Sequence, residues 1–174
     1  MILTLEIKKL AILIIIFALL SGCIQTQQSA SHKVIYVPSN VSILAGTNVV
    51  GNLSDMQEFD GVSYHVGEVA SSPGFNYHIK YYNVVSFDNI GFYGTYNGST
   101  SHVVTIELYD TNITTWRTLR RIIGTTQNTN SEFMITKPAD FIYPNGTVIM
   151  RLYHTTMGNI AHDMNIDQLI LEDR

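Results

Sequence analysis

His102-Val103-Val104-Thr105-Ile106-Glu107-Leu108-Tyr109 is the stretch whose reading decides the fold. Val104, Ile106 and Leu108 occupy one phase of a period of two, and Thr105, Glu107 and Tyr109 occupy the other. Successive side chains of a strand point to opposite faces, so this pattern predicts a strand with one buried and one wet face. The same alternation appears on both sides of it. Tyr77, Ile79 and Tyr81 alternate with His78, Lys80 and Tyr82, and Val148, Met150 and Leu152 oppose Ile149, Arg151 and Tyr153. Weaker strand runs cover Val34–Pro38, Val62–Val69, Ile90–Tyr96, Phe133 with Ile135, and Ile166–Leu171. Arg117–Ile123 is long enough for one helical turn, but its β-branched end favours a strand.

Between the runs stand turn formers: Asp60-Gly61, Asn97-Gly98 and Pro144-Asn145-Gly146. Asn and Gly tolerate positive φ, which tight turns require. No window past the N-terminal segment sustains a helical period. Many short strands at this spacing predict an all-β chain, a two-sheet antiparallel β-sandwich of the jelly-roll kind, over residues 34–174. That length buries a core without staples, and the body has no cysteine to form one.

The N-terminal segment is different. Lys8 and Lys9 precede an apolar run of eleven residues, Leu10–Leu20, followed by Ser21-Gly22-Cys23, which holds the only cysteine. Eleven residues fit the apolar region of a signal sequence and fall short of the roughly 20 that span a bilayer. Leu20-Ser21-Gly22-Cys23 resembles the prokaryotic lipoprotein signal at all four positions. The resemblance implies a signal peptide over 1–22, lipid attachment to Cys23, and a protein held outside the cytoplasm at the cell membrane. The open alternative is an uncleaved anchor helix that ends at Cys23; the two readings agree on location. Residues 24–33 are polar and small, as expected of a flexible tether.

A second resemblance covers about residues 60–172. It rests on Tyr96-Asn97-Gly98 leading into the strand quoted above, on Thr114-Thr115-Trp116-Arg117-Thr118-Leu119, and on Gly146-Thr147-Val148-Ile149-Met150-Arg151-Leu152-Tyr153-His154. Asn165-Ile166-Asp167-Gln168-Leu169-Ile170-Leu171 completes it. The set resembles galactose-binding-like jelly rolls, which include many carbohydrate-binding modules and the sandwich domains of phage tail and fibre proteins. The resemblance implies a last strand that returns beside the first. It also implies a structural calcium at Asp167, with Asp55, Glu58 or Asp60 as partner; the alternative is that Asp167 caps a turn or pairs with Arg151. No other cofactor is expected. Sugar-binding modules stack flat rings on pyranose faces. The candidate ligand-binding rings are Trp116, Tyr81, Tyr82, Tyr109 and Tyr153, with ordinary strand packing as the competing reading for each.

Other classes are disfavoured. After Cys23 the chain has eight Lys or Arg and thirteen Asp or Glu, a net charge of −5, with no basic run to meet nucleic acid. The six histidines, at 32, 65, 78, 102, 154 and 162, lack zinc-motif spacing. There is no nucleophile elbow and no phosphate loop. Glu107 with Asp110, and Asp163 with Asp167, are the acid pairs close enough in sequence for hydrolysis, and His162-Asp163 near His154 suggests a polar loop cluster. No enzyme is expected. Asn40, Asn52, Asn97, Asn112 and Asn145 each open an Asn-x-Ser/Thr acceptor and are the glycosylation candidates. Sequons beside a lipoprotein signal suit an archaeal surface better than a bacterial one. The expectation is therefore a membrane-anchored extracytoplasmic lipoprotein whose sandwich is a non-catalytic binding module for glycan or cell-surface polymer. The alternative is a structural or protein-interaction module of the envelope, or of a virus-derived particle, with no small ligand.

Overall fold

A computed structural model describes residues 33–124 and 129–174. The expected signal segment 1–22, Cys23 and the expected tether up to residue 32 lie outside the described residues. The tether's last residue, Lys33, already belongs to the domain: its Nζ lies 2.6 Å from Glu172 Oε1 on the final strand.

Among the described residues, eleven strands form two antiparallel sheets. They are β1 (Val34–Tyr36), β2 (Asn40–Ala45), β3 (Thr47–Val50), β4 (Tyr64–Gly67), β5 (Phe75–Tyr81), β6 (Asn89–Asn97), β7 (Val103–Asp110), β8 (Thr115–Ile123), β9 (Thr129–Met134), β10 (Val148–His154) and β11 (Asp163–Asp173). One sheet has the order β3-β4-β11-β6-β9, with β1 also paired to β11; the other has the order β2-β5-β10-β7-β8. Neighbours within a sheet are mostly distant in sequence, so the chain crosses repeatedly between layers, as in a jelly roll. The last strand does return beside the first, with Val34 opposite Asp173.

The alternating strands deliver their expected faces. Phe75, Tyr77, Ile79 and Tyr81 of β5, Val104, Ile106 and Leu108 of β7, and Val148, Met150 and Leu152 of β10 all point inward. They meet Tyr64 and Val66 of β4, Ile90, Phe92 and Tyr96 of β6, and Met164, Ile166, Leu169 and Leu171 of β11. Two tyrosines tie the layers by donating across the core, Tyr77 to the Val66 carbonyl at 3.3 Å and Tyr81 to the Leu169 carbonyl at 3.0 Å. Burial pushes both phenols far up, so they act as neutral donors.

β11 breaks its own period. Ile166 and Leu169 both face the core although three residues separate them, because the register with β6 shifts between Ile166 and Gln168. A bulge adds one residue and turns the phase; here the extra residue is Asp167. Two expected elements differ. β2 and β3 are not among the expected strands: β2 is short, at a sheet edge, and its side chains are all exposed or half-buried. The run Val62–Val69 contracts to β4, since Val62 is exposed in the loop before it.

Candidate functional site

The outward face of the β2-β5-β10-β7-β8 sheet carries the candidate site. The strands that bury one phase must present the other here. Register sets the rows: Arg151 lies opposite His78 on one side and Glu107 on the other, and Tyr109 lies opposite Trp116. Trp116, on β8, reaches across the sheet. Its ring centroid is 5.2 Å from Tyr109 and 4.9 Å from His78, two strands beyond. The Arg151 guanidinium sits 4.3 Å from the Trp116 centroid and 4.1 Å from that of Tyr153. Beyond Tyr109, Tyr143 stacks in parallel at 6.0 Å. The result is a row of rings: Tyr153, Trp116, Tyr109, Tyr143.

Arg151 is held at its middle by Glu107, whose Oε2 accepts from Nε and Nη2, both at 2.6 Å. Thr105 and Thr118 hydroxyls donate to Glu107 Oε1 at 2.8 and 3.2 Å. Glu107 is thus buried and fully partnered beneath the guanidinium, and the fork is fixed in orientation. His78 is the exception. Its Nε2 has no partner under Trp116, and burial, then the positive charges of Arg151 and Lys80, holds the imidazole below its ordinary value.

At the Tyr143 end the row opens into a groove of about 400 Å³ lined by Lys80, Tyr82, Tyr143, Asn145, Thr147 and Ile149. It offers ring faces together with an ammonium, an amide and a hydroxyl. A larger groove of about 820 Å³ lies on the opposite sheet, lined in part by Phe59, Asp60, Gly61, Tyr93, Asn165 and Asp167.

Four of the five expected rings, Trp116, Tyr109, Tyr153 and Tyr82, stand on this one face. Tyr81 is a correction. It is fully buried with its hydroxyl on Leu169, because the phase that exposes His78 and Lys80 turns Tyr81 inward. Asp167 caps a turn: its carboxylate accepts from the backbone N–H groups of Asp60 and Gly61 at 3.2–3.3 Å. Asp55 accepts from the Asn52 backbone and Asp60 from the Val62 backbone, so each of those acids serves its own loop. Arg151 pairs with Glu107 and not with Asp167. Glu107 and Asp110 do not converge either. Asp110 accepts from Asn112, Ile113 and Arg117; burial draws its carboxyl upward, but those donors outweigh burial and hold it low. All five sequon asparagines are exposed. The residues not singled out from sequence are Arg151, Lys80, His78 and Tyr143. Arg151 and Lys80 shared the outward phase of their strands, and only the register between strands could have joined them to Trp116.

No protein-family model matches the chain, and no curated protein matches it. Solved structures of similar shape include a variant of a family 29 carbohydrate-binding module made to probe ligand recognition, at 11% identity and TM-score 0.48, covering 80% of this chain and 90% of that one. A second family 29 variant matches at 9% identity and TM-score 0.49, over 80% and 90% of the two chains. A family 61 module in complex with β-1,4-galactotriose matches at 16% identity and TM-score 0.47, over 78% and 88%. At such values the similarities say nothing about what this chain binds.

Proposed function

We propose that the β2-β5-β10-β7-β8 face binds a glycan or another hydroxyl-rich surface polymer, without catalysis, on a lipoprotein held outside the cytoplasm by lipid on Cys23. The row of rings from Tyr153 to Tyr143, ending in the Lys80–Asn145 groove, is the observation that carries the reading. Rings lying along a sheet give apolar area for sugar faces, and the flanking polar groups meet the hydroxyls. Arg151 is anchored by Glu107, so little ordering is left for the moment of binding. The lipobox and the exposed sequons support the surface location and a glycosylated, archaeal-type envelope.

The test is retention of the purified full chain on insoluble polysaccharides and cell-envelope fractions. Retention on one glycan class, lost in Trp116→Ala and weakened in Arg151→Ala, is expected. Flow-through from every glycan, with capture of an envelope protein, would replace this reading by the interaction-module one.

A further inference from the structure

At one end of the sandwich, away from the ring-bearing face, four side chains from four separate segments meet. Glu68 follows β4, His102 precedes β7, His154 ends β10 and His162 precedes β11. Glu68 is fully buried, and its carboxylate lies 2.7 Å from His154 Nδ1, 3.4 Å from His162 Nδ1 and 3.7 Å from His102 Nδ1. The Nδ1 atoms of His102 and His162 are 3.1 Å apart. Glu68 Oε2, His102 Nδ1 and His162 Nδ1 therefore form a triangle with edges of 3.1, 3.4 and 3.7 Å. Four ligands at zinc-like bond lengths of about 2.0–2.2 Å around a tetrahedral ion stand roughly 3.3–3.5 Å apart. Glu68, His102 and His154 also offer one ligand atom each within 4.8 Å of one another.

Two further observations point to a cation. His154 is 1% exposed, and its Nδ1 lies 2.7 Å from Glu68 Oε1 with no other partner among the described residues. Its other nitrogen meets the Thr156 hydroxyl at 2.8 Å, so the ring is held with Nδ1 turned into the cluster. Glu68, meanwhile, is a buried carboxylate whose only ion-pair partners among the described residues are these histidines. A buried carboxylate is costly without a countercharge.

The frame is built for close approach. A Cβ on Gly74 would stand 2.4 Å from His154 Nδ1, and one on Gly158 would stand 2.4 Å from the Val69 carbonyl. Gly74 N–H donates to the His154 carbonyl at 3.0 Å, Gly158 N–H to that of Ser71 at 2.9 Å and Asn159 N–H to Glu68 Oε2 at 2.6 Å. The Tyr96 hydroxyl donates to Glu68 Oε1. These bonds orient the carboxylate, as outer partners orient metal ligands. His102 and His162 keep 21% and 15% of their side-chain surface exposed and leave a route from solvent.

We propose that Glu68, His102, His154 and His162 bind one divalent transition-metal ion of the zinc class. Three imidazoles and one carboxylate suit zinc, cobalt or nickel, and disfavour calcium and magnesium, which take oxygen ligands. Binding would tie three end loops together.

The test uses the full chain, untagged and freed of metal with a chelator. Zinc is expected to bind at one saturable equivalent and to raise the unfolding midpoint, and cobalt to give the strong d–d absorption of a four-coordinate site. His102→Gln and His162→Gln, both partly exposed, should unfold cooperatively without metal yet lose at least about 100-fold in affinity, the upper end of what an outer-sphere partner is worth. His65→Gln and Cys23→Ser should bind as the parent does. Absence of saturable binding, undiminished affinity in both histidine variants, or loss of binding in Cys23→Ser would overturn the proposal.

Discussion

The ring-bearing sheet face and the glutamate–histidine cluster are opposite ways of building a site. The face is made by alternation. Once β5, β7 and β10 bury one phase, Lys80, Tyr109, Arg151 and Tyr153 must share the other side, and the site follows from regular structure. The cluster is made by loops. Its four side chains are separated by 34, 52 and 8 residues of chain, and only the meeting of strand ends brings them together. The lesson is one of tolerance. A face presented to solvent can lose a ring and keep the fold, whereas a buried cluster cannot lose its carboxylate.

The largest effect expected from that contrast is at Glu68. Glu68→Ala would leave the Tyr96 hydroxyl without its acceptor at a fully buried position, whereas the Asn159 N–H belongs to an exposed residue that water reaches. One buried unsatisfied group costs about 1–3 kcal/mol, so a loss of about 2 kcal/mol in unfolding free energy is expected, read from the denaturant midpoint at unchanged slope. Trp116→Ala reverses the pattern. It should weaken polymer binding by about 10- to 100-fold, as loss of an aromatic anchor does, and shift stability by no more than about 1 kcal/mol.

Legibility divided along the same line. Val104-Thr105-Ile106-Glu107-Leu108 and its two companion runs were enough for the sandwich, because period two is a local property. Four of the five expected rings fell on one face for the same reason. Tyr81 failed because adjacent tyrosines on a strand cannot both face out, and Tyr81 shares the phase of Tyr77 and Ile79, opposite His78 and Lys80, which turns it inward. β2 and β3 left a weak mark, since both are edge strands and β2 packs only the partly buried Val41 and Ile43 against the core. Only half of the cluster could be read. His162-Asp163 near His154 hinted at a polar loop, but Glu68 and His102 lie far away in sequence, and their meeting is a property of topology.

Smaller tests sharpen the comparison. Arg151→Lys keeps the charge but loses the planar fork that lies against Trp116 and Tyr153 and pairs with Glu107. A loss of about 5- to 10-fold in polymer affinity is expected, with metal binding untouched. The smallest effect concerns pH. His78 faces Trp116, Arg151 and Lys80, and its imidazole is held below 6.5 by burial first and then by those two cations. The unfolded chain therefore takes up this proton first as pH falls. Stability contributed here is full above 6.5 and declines below it. Thermal midpoints from pH 7.5 to 5 should fall less steeply in His78→Gln than in the parent.

The most direct measurement follows from Trp116 being the only tryptophan in the chain. Its fluorescence reports on the ring-bearing face and on nothing else. Titration of the full chain with soluble fragments of a retained polymer should change the emission saturably, with the same midpoint in His162→Gln as in the parent. A polymer that binds while the Trp116 emission stays constant would contradict the assignment of that face.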